Sequence, residues 1–204
     1  VSFLNDREMR MDEATTERVL QDSMFELDNL SAYLGKLKDM VCADERETLL
    51  RPSAFNLREL VEKVVRLTNI PAGKKVSFST AFPPDMPDLT ADPVHVANVL
   101  SNLIENAIKY SGEEVNIDIV VLWNQQGVEL TVSDNGFGIA PDERRKVFEK
   151  FYRSSHLPDK QIPGIGLGLS YVRQIVEAHH GSVSLRSELG EGTRITINLP
   201  TTAL

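Results

Sequence analysis

The stretch Asn102-Leu103-Ile104-Glu105-Asn106-Ala107-Ile108-Lys109-Tyr110 sets two amides, a carboxylate, a lysine and an aromatic on a little over two helical turns. Asn102, Asn106 and Lys109/Tyr110 fall at i, i+4 and i+7/i+8 and so share one helix face. Leu100, Leu103, Ile104, Ala107 and Ile108 supply the apolar stripe that seats such a helix on a core. Two explanations compete for the polar face. Asn, Glu and Lys on a helix usually make a solvated surface, and Glu105 with Lys109 is then an ordinary i, i+4 ion pair. The other is a magnesium-bound polyphosphate lying against the stripe, because amide oxygens suit a hard cation and lysine suits phosphate.

Two downstream segments bear on that choice. Val128-Glu129-Leu130-Thr131-Val132 alternates apolar and polar, as a half-buried strand does, and runs into Asp134-Asn135-Gly136-Phe137-Gly138-Ile139. The glycines of Asp-x-Gly-x-Gly permit positive φ and close approach of a ligand to the backbone. Asp134 at the strand end is placed to accept a hydrogen bond from an exocyclic amine, although Asp-Asn-Gly is also common turn chemistry. Gly164-Ile165-Gly166-Leu167-Gly168-Leu169 then opens an apolar helix over residues 169–178. Glycines at a helix start leave N–H groups free to hold a phosphate at the positive end of the dipole. A loop containing proline and charge precedes this turn, so it is not a dinucleotide fingerprint, and the chain has no Gly-x-x-x-x-Gly-Lys-Ser/Thr loop.

In this order and spacing the three segments resemble the N, G1 and G2 boxes of the ATP-binding domain of sensor histidine kinases, the superfamily that includes gyrase, Hsp90 and MutL. Phe148-Glu149-Lys150-Phe151-Tyr152-Arg153 is similar to the intervening F box. Glu177-Ala178-His179-His180-Gly181 and Gly190-Glu191-Gly192-Thr193-Arg194 resemble the end of that domain, so the likeness covers about residues 50–200. The resemblance implies ATP and Mg²⁺ as cofactors, with roles falling position by position. Asn106 matches the magnesium-ligating asparagine, Lys109 the lysine near the phosphates, and Tyr110 the aromatic that packs against the base. Asp134 matches the aspartate that reads the adenine amine, with Gly136 and Gly138 shaping the pocket and Ile139 lining it. Gly164, Gly166 and Gly168, with the amides of Leu167 and Leu169, match the phosphate-facing turn. Thr193 matches the residue supporting the adenine end through water, and Arg153 one that swings toward the γ-phosphate.

ATP-hydrolysing branches of the superfamily place a glutamate base four residues before the magnesium asparagine. Here that position is Asn102, and an amide takes no proton at neutral pH. Glu105 lies about 100° around the helix from Asn106 and does not substitute for it. Phosphoryl transfer to an acceptor elsewhere is therefore expected over hydrolysis. The family's acceptor is a histidine followed by an acidic residue on the first helix of a helical hairpin. His95, His156, His179 and His180 all lack that context. His95 is expected on the helix surface and His156 in the loop over residues 153–163, an ATP lid mobile without nucleotide. His179 and His180 are expected at a helix end where a cation favours the dipole.

Upstream, Leu20, Met24, Leu27, Leu30, Leu34, Leu37 and Val41 step by fours and threes, a sustained a/d seam flanked by Phe25, Tyr33 and Met40. A stripe this wide fits a four-helix bundle, or a helix folded back on its own domain. By resemblance, residues 1–47 are the remnant of the dimerisation and phosphotransfer hairpin, with its second helix over 14–41, and residues 48–204 are the ATP-binding domain. The phosphoacceptor histidine and its base then lie outside the chain. The expected fold is a two-layer α/β sandwich (α+β), with helices on one face of a mixed, mostly antiparallel sheet, preceded by the long helix. Strands are expected over 49–52, 76–80, 89–90, 115–123, 127–133, 181–187 and 193–199. Asn56 is expected to cap a helix over 57–69, and Asp92 with Pro93 to open the helix that carries Asn102.

Composition narrows the partners. A net charge of −8 over 204 residues disfavours a nucleic-acid or anionic-membrane surface. One cysteine, Cys42, excludes an internal disulfide and a multi-cysteine metal site, which fits a cytoplasmic setting. No run of about 18 apolar residues occurs, so no direct membrane contact is expected of this segment. The resemblance implies a homodimer in the full-length protein and a response regulator receiver domain as partner. Two other readings remain: an ATPase clamp of the same superfamily, and an ATP-binding pseudokinase or scaffold.

Overall fold

The computed structural model describes residues 50–124, 126–156, 162 and 164–200. The chain divides into two compact units, Val1–Glu47 and Thr48–Leu204. The described residues all belong to the second; the expected helix over 14–41 and its seam lie outside them. Strand β1 (Ser53–Phe55) leads through Asn56, whose side chain accepts from Glu59 N at 3.1 Å, into helix α1 (Leu57–Leu67). Leu57 and Val61, one turn apart, are buried. Strands β2 (Lys75–Ala81) and β3 (Leu89–Ala91) precede helix α2 (Pro93–Lys109). Strands β4 (Glu114–Asn124) and β5 (Gly127–Asp134), a 3-10 turn (Lys146–Phe148), helix α3 (Gly168–Ala178) and strands β6 (Ser182–Glu188) and β7 (Gly192–Pro200) complete the order.

Five strands form one sheet in the order β2-β4-β5-β7-β6, with β2 parallel to β4 and the remaining pairs antiparallel. In β4, Val115, Ile117, Ile119 and Val121 are buried while Asn116, Asp118 and Leu122 are exposed, so one face of the sheet carries the core. That face meets Val99, Leu100, Leu103, Ile104, Ala107 and Ile108 of α2 and Val172, Ile175 and Val176 of α3 in a single apolar cluster. The result is the expected two-layer mixed α/β architecture.

One strand differs from expectation. Residues 50–52 form no strand; β-structure starts at Ser53, which pairs with Ala91 in a separate two-stranded sheet. Apolar Leu49-Leu50 suggested the earlier start. Pro52 has no N–H for a ladder, and Arg51 N is taken by Asp92 Oδ2 at 2.8 Å. Asp92 is the expected cap of α2. Its Oδ1 accepts from Val94 N at 3.0 Å and His95 N at 3.1 Å, and Pro93 fills the first helical position. Burial works against the Asp92 charge, but these backbone donors and nearby His95 outweigh it and hold the carboxyl below its usual range.

His179 is a second correction. It is 3% exposed, and burial lowers its pKa. Its Nδ1 bonds Ile175 O at 2.8 Å and its Nε2 accepts from Asp92 N at 3.0 Å, an arrangement that requires the neutral ring. A neutral imidazole tying the end of α3 to the start of α2 replaces the expected cation on a helix dipole. His95 is half-buried with its Nδ1 2.9 Å from the Tyr171 hydroxyl, so it too joins α2 to α3 instead of lying free on the surface.

Candidate functional site

Asn102 is 8% exposed, which excludes a solvated polar face for α2. Its Nδ2 donates to Asn98 O at 2.8 Å, leaving Oδ1 on the side of Gly168, the first residue of α3. A Cβ on Gly168 would stand 3.2 Å from Asn102 Oδ1 and 3.7 Å from Asn106 Oδ1. The helix start therefore rests on the asparagine stripe. Gly164 lies over the end of α2 in the same way: a Cβ there would be 2.2 Å from Lys109 Nζ. That ammonium sits 5.1 Å from the centroid of the Tyr110 ring. Lysine and tyrosine thus meet Gly164, and the amides meet Gly168, although more than 50 residues of sequence separate them.

The turn itself depends on Gly166. Its φ is +78°, and a Cβ would approach Tyr152 O to 2.5 Å, while Gly166 O accepts from Phe151 N at 2.9 Å. Leu167 occupies the N-cap of α3 and gives no side-chain cap. The first-turn amides, Leu169 among them, lack the acceptor that Ser, Thr, Asp or Asn would provide at that position. An uncapped helix start beside a lysine is suited to an anion.

At the other end of the site, Asp134 closes β5. Its Oδ1 accepts from Gly136 N at 2.8 Å and from Thr193 N at 3.1 Å. Burial raises the Asp134 pKa, and the two backbone donors oppose that shift. Gly138 is required here: its φ is +70°, and a Cβ would collide with Glu188 O at 1.8 Å. Phe137 N donates to Tyr110 O at 2.9 Å, which ties this loop to the end of α2. Ile139 N donates to Ser187 Oγ at 2.8 Å, and Ser187 Oγ also lies 3.0 Å from Thr193 Oγ1. Asp134, Gly136, Thr193 and Ile139 are therefore linked through Ser187 into one bonded group, with Gly138 packed against Glu188. Arg153 stands apart from it, exposed, with its guanidinium on Ile162 O at 2.6 Å. Residues 157–161 and 163 of the expected lid lie outside the described residues.

Sequence reading missed three contributors. Ser187, 7% exposed, fastens Ile139 to the β6–β7 turn by donating to Gly192 O at 2.7 Å. Lys74 Nζ donates to Ile108 O, and at 3.0 Å to Ser111 O, so it caps the end of α2 that carries Lys109. Glu143 is 1% exposed and accepts from Tyr152 Oη at 2.9 Å and Ser155 N at 2.9 Å. The alternation of β6 marks Ser187 as inward. No local pattern singles out Lys74 or Glu143.

The donor set fits a nucleotide and a hard cation. A half-buried carboxylate, an uncapped helix start and a lysine suit an amine-bearing base and a phosphate chain. Among the described residues no three His, Cys, Asp or Glu side chains cluster as a metal site. Asn106 Oδ1, facing the start of α3, is an oxygen of the kind that suits a hard cation such as Mg²⁺.

Residues 91–203 match the family described as histidine kinase-, DNA gyrase B- and HSP90-like ATPases. The sensor protein RprX of Bacteroides fragilis (strain YCH46) is 34% identical over 97% of the chain and 35% of its own length. The adaptive-response sensory kinase SasA of Parasynechococcus marenigrum (strain WH8102) is 36% identical over 76% of the chain and 40% of its own length. The chain spans little more than a third of these curated relatives. Among solved structures, full-length ShkA in complex with AMPPNP superposes with a TM-score of 0.78 at 23% identity, over 96% of this chain and 41% of that one. The mycobacterial sensor histidine kinase MprB superposes with a TM-score of 0.62 at 26% identity, over 76% of this chain and all of that one.

Proposed function

The chain belongs to the histidine kinase-, DNA gyrase B- and HSP90-like ATPase family, as an ATP-binding catalytic domain of the sensor histidine kinase type, and from that premise we propose that it binds Mg-ATP and transfers the γ-phosphoryl to a histidine nitrogen of a dimerisation hairpin. The observation that carries this reading is the seating of Gly168, at an uncapped helix start, on the amides of Asn102 and Asn106, with Lys109 against Gly164. The α3 amides would hold the phosphates, Lys109 would neutralise them, and Asp134 would accept from the adenine amine. Bound Mg²⁺ supplies charge neutralisation on the phosphate oxygens, and Asn106 would orient it. Catalysis is then positioning and electrostatics.

In the transfer the bond from phosphorus to the ADP oxygen breaks and one to the imidazole nitrogen forms. The imidazole proton leaves to a base beside that histidine. Asn102 disfavours the competing clamp ATPase: its amide is buried, donates to Asn98 O and cannot take a proton from water. We further propose that the phosphoryl passes to an aspartate of a response regulator, and that the domain works as part of a cytoplasmic homodimer.

The test is to mix the protein with an isolated phosphoacceptor hairpin and γ-labelled ATP. An acid-labile label on the hairpin is expected, with negligible phosphate release in its absence. Asn106→Asp should reduce transfer by about 100-fold or more, because the metal ligand changes charge and geometry. Undiminished transfer in that variant overturns the site, and rapid hydrolysis without the hairpin favours the clamp ATPase.

A further inference from the structure

Glu143 takes no part in the nucleotide reading, yet it is among the most completely buried side chains of the fold. A carboxylate withdrawn from water is costly unless donors surround it. Among the described residues, its donors come from residues 152–156. Oε1 accepts from Tyr152 Oη at 2.9 Å, Ser155 N at 2.9 Å and Ser155 Oγ at 3.0 Å, and Oε2 accepts from Ser154 Oγ. His156 Nδ1 lies 3.2 Å away. Burial opposes ionisation, but these bonds outweigh it and hold the carboxyl at about 2. Burial and the bond to Glu143 push the Tyr152 phenol up to about 12.

Between Tyr152 and Ser154, both turned to the carboxylate, stands exposed Arg153, whose guanidinium reaches Ile162 O at 2.6 Å. A second tether holds the same segment. Phe151, at a φ of +66°, donates its N–H to Gly166 O at 2.9 Å, and Tyr152 O lies 2.5 Å from where a Gly166 Cβ would be. A bulky residue keeps that conformation only when its surroundings determine it. Side chains anchor residues 152–156 to Glu143, and backbone anchors 151–152 to the glycine turn. Arg153 hangs between the two anchors.

We infer that Glu143 is a positioning residue for phosphoryl transfer: by gathering the donors of 152–156 around one buried carboxylate, it holds Arg153 beside the segment that runs into the glycine turn. The inference rests on the proposed function and on the resemblance that matches Arg153 to an arginine swinging toward the γ-phosphate. In the hairpin assay, Glu143→Gln should slow transfer at saturating ATP by about 10-fold or more while the ATP dissociation constant stays within about 3-fold. Tyr152→Phe, which removes one donor and leaves the carboxylate in place, should give a weaker loss of the same kind if the first variant folds poorly. Glu143→Asp, which keeps the charge, should recover part of the rate. The double variant Glu143→Gln/Arg153→Ala should be no slower than Arg153→Ala alone, because both changes remove the same contact.

Losses that multiply in the double variant overturn the inference, as does an unchanged rate at saturating ATP with only the melting temperature lowered. If the wild type labels no histidine, the proposed function itself fails and Glu143 loses this role with it. If the wild type transfers and the cycle is additive, only the role of Glu143 is lost.

Discussion

At Asp134 the fold and the proposed recognition of adenine meet in one side chain. Its Oδ1 is occupied by Gly136 N and Thr193 N, so the loop geometry uses one carboxylate oxygen and leaves the other for the proposed contact. Asp134→Asn can keep both backbone bonds through its carbonyl oxygen while setting a donor where an acceptor stood. Stability should change by less than about 1 kcal/mol, and ATP affinity should fall by about 10- to 100-fold. Guanine carries a carbonyl where adenine carries the amine, so the preference for ATP over GTP should narrow. Titration calorimetry with both nucleotides measures this, and an unaltered preference in the variant would remove Asp134 from base recognition. The Asp-x-Gly-x-Gly pattern made this residue legible, because a carboxylate at a strand end and a positive φ at Gly138 are local requirements. Ser187 was legible only in part: the alternation of β6 turns it inward, but its bond partner Ile139 is distant in sequence.

Among the elements, α2 is the one whose two ends are both fastened from elsewhere. Asp92 and His179 hold its start, and Lys74 holds its finish by donating to Ile108 O, Ser111 O and Ser111 Oγ. Burial lowers the Lys74 pKa. Lys74→Met keeps the aliphatic stem and removes the donors, leaving Ser111 O without the ammonium and Ile108 O with the Ser111 hydroxyl at 2.7 Å. A loss of about 1–2 kcal/mol is expected, equivalent to about 2–4 °C in melting temperature per kcal/mol for a domain of this size. Because Lys109 and Tyr110 stand on the fastened turn, ATP affinity should weaken as well. Thermal unfolding and a nucleotide titration of the same variant check the two halves; a melting temperature equal to wild type would deny the cap. Residue patterns placed the start of α2, where Asp92-Pro93 is a strong local signal. They did not place its finish, because a lysine after Pro71-Ala72-Gly73 looks like any solvated turn residue.

For the whole domain, buried His179 at the upper end and Glu143 with Asp92 at the lower end shape how stability responds to acid. The folded pKa of His179 lies below 6.5, so the unfolded chain binds the extra proton and the folded chain does not. Its contribution is complete above pH 6.5 and is lost as pH falls through the lowered value. The Glu143 carboxyl sits at about 2 against an ordinary 4.5, so its contribution is lost over the interval between those values. Urea unfolding followed against pH should therefore show two falling limbs. His179→Gln should flatten the upper limb and Glu143→Gln the lower, and an upper limb that persists unchanged in His179→Gln would refute the neutral-imidazole link. By itself the sequence determined the three described helices, most strands, the three motif segments and the family, since periodicity, caps and glycine turns are set by interactions within a few residues. Tertiary structure decided that the Asn102–Asn106 stripe faces a helix start instead of water, that His179 is neutral, and that Glu143 is buried within the charged run Asp142-Glu143-Arg144-Arg145-Lys146. Charge state and burial depend on which distant groups fold against a side chain, and no local pattern in the chain encodes them.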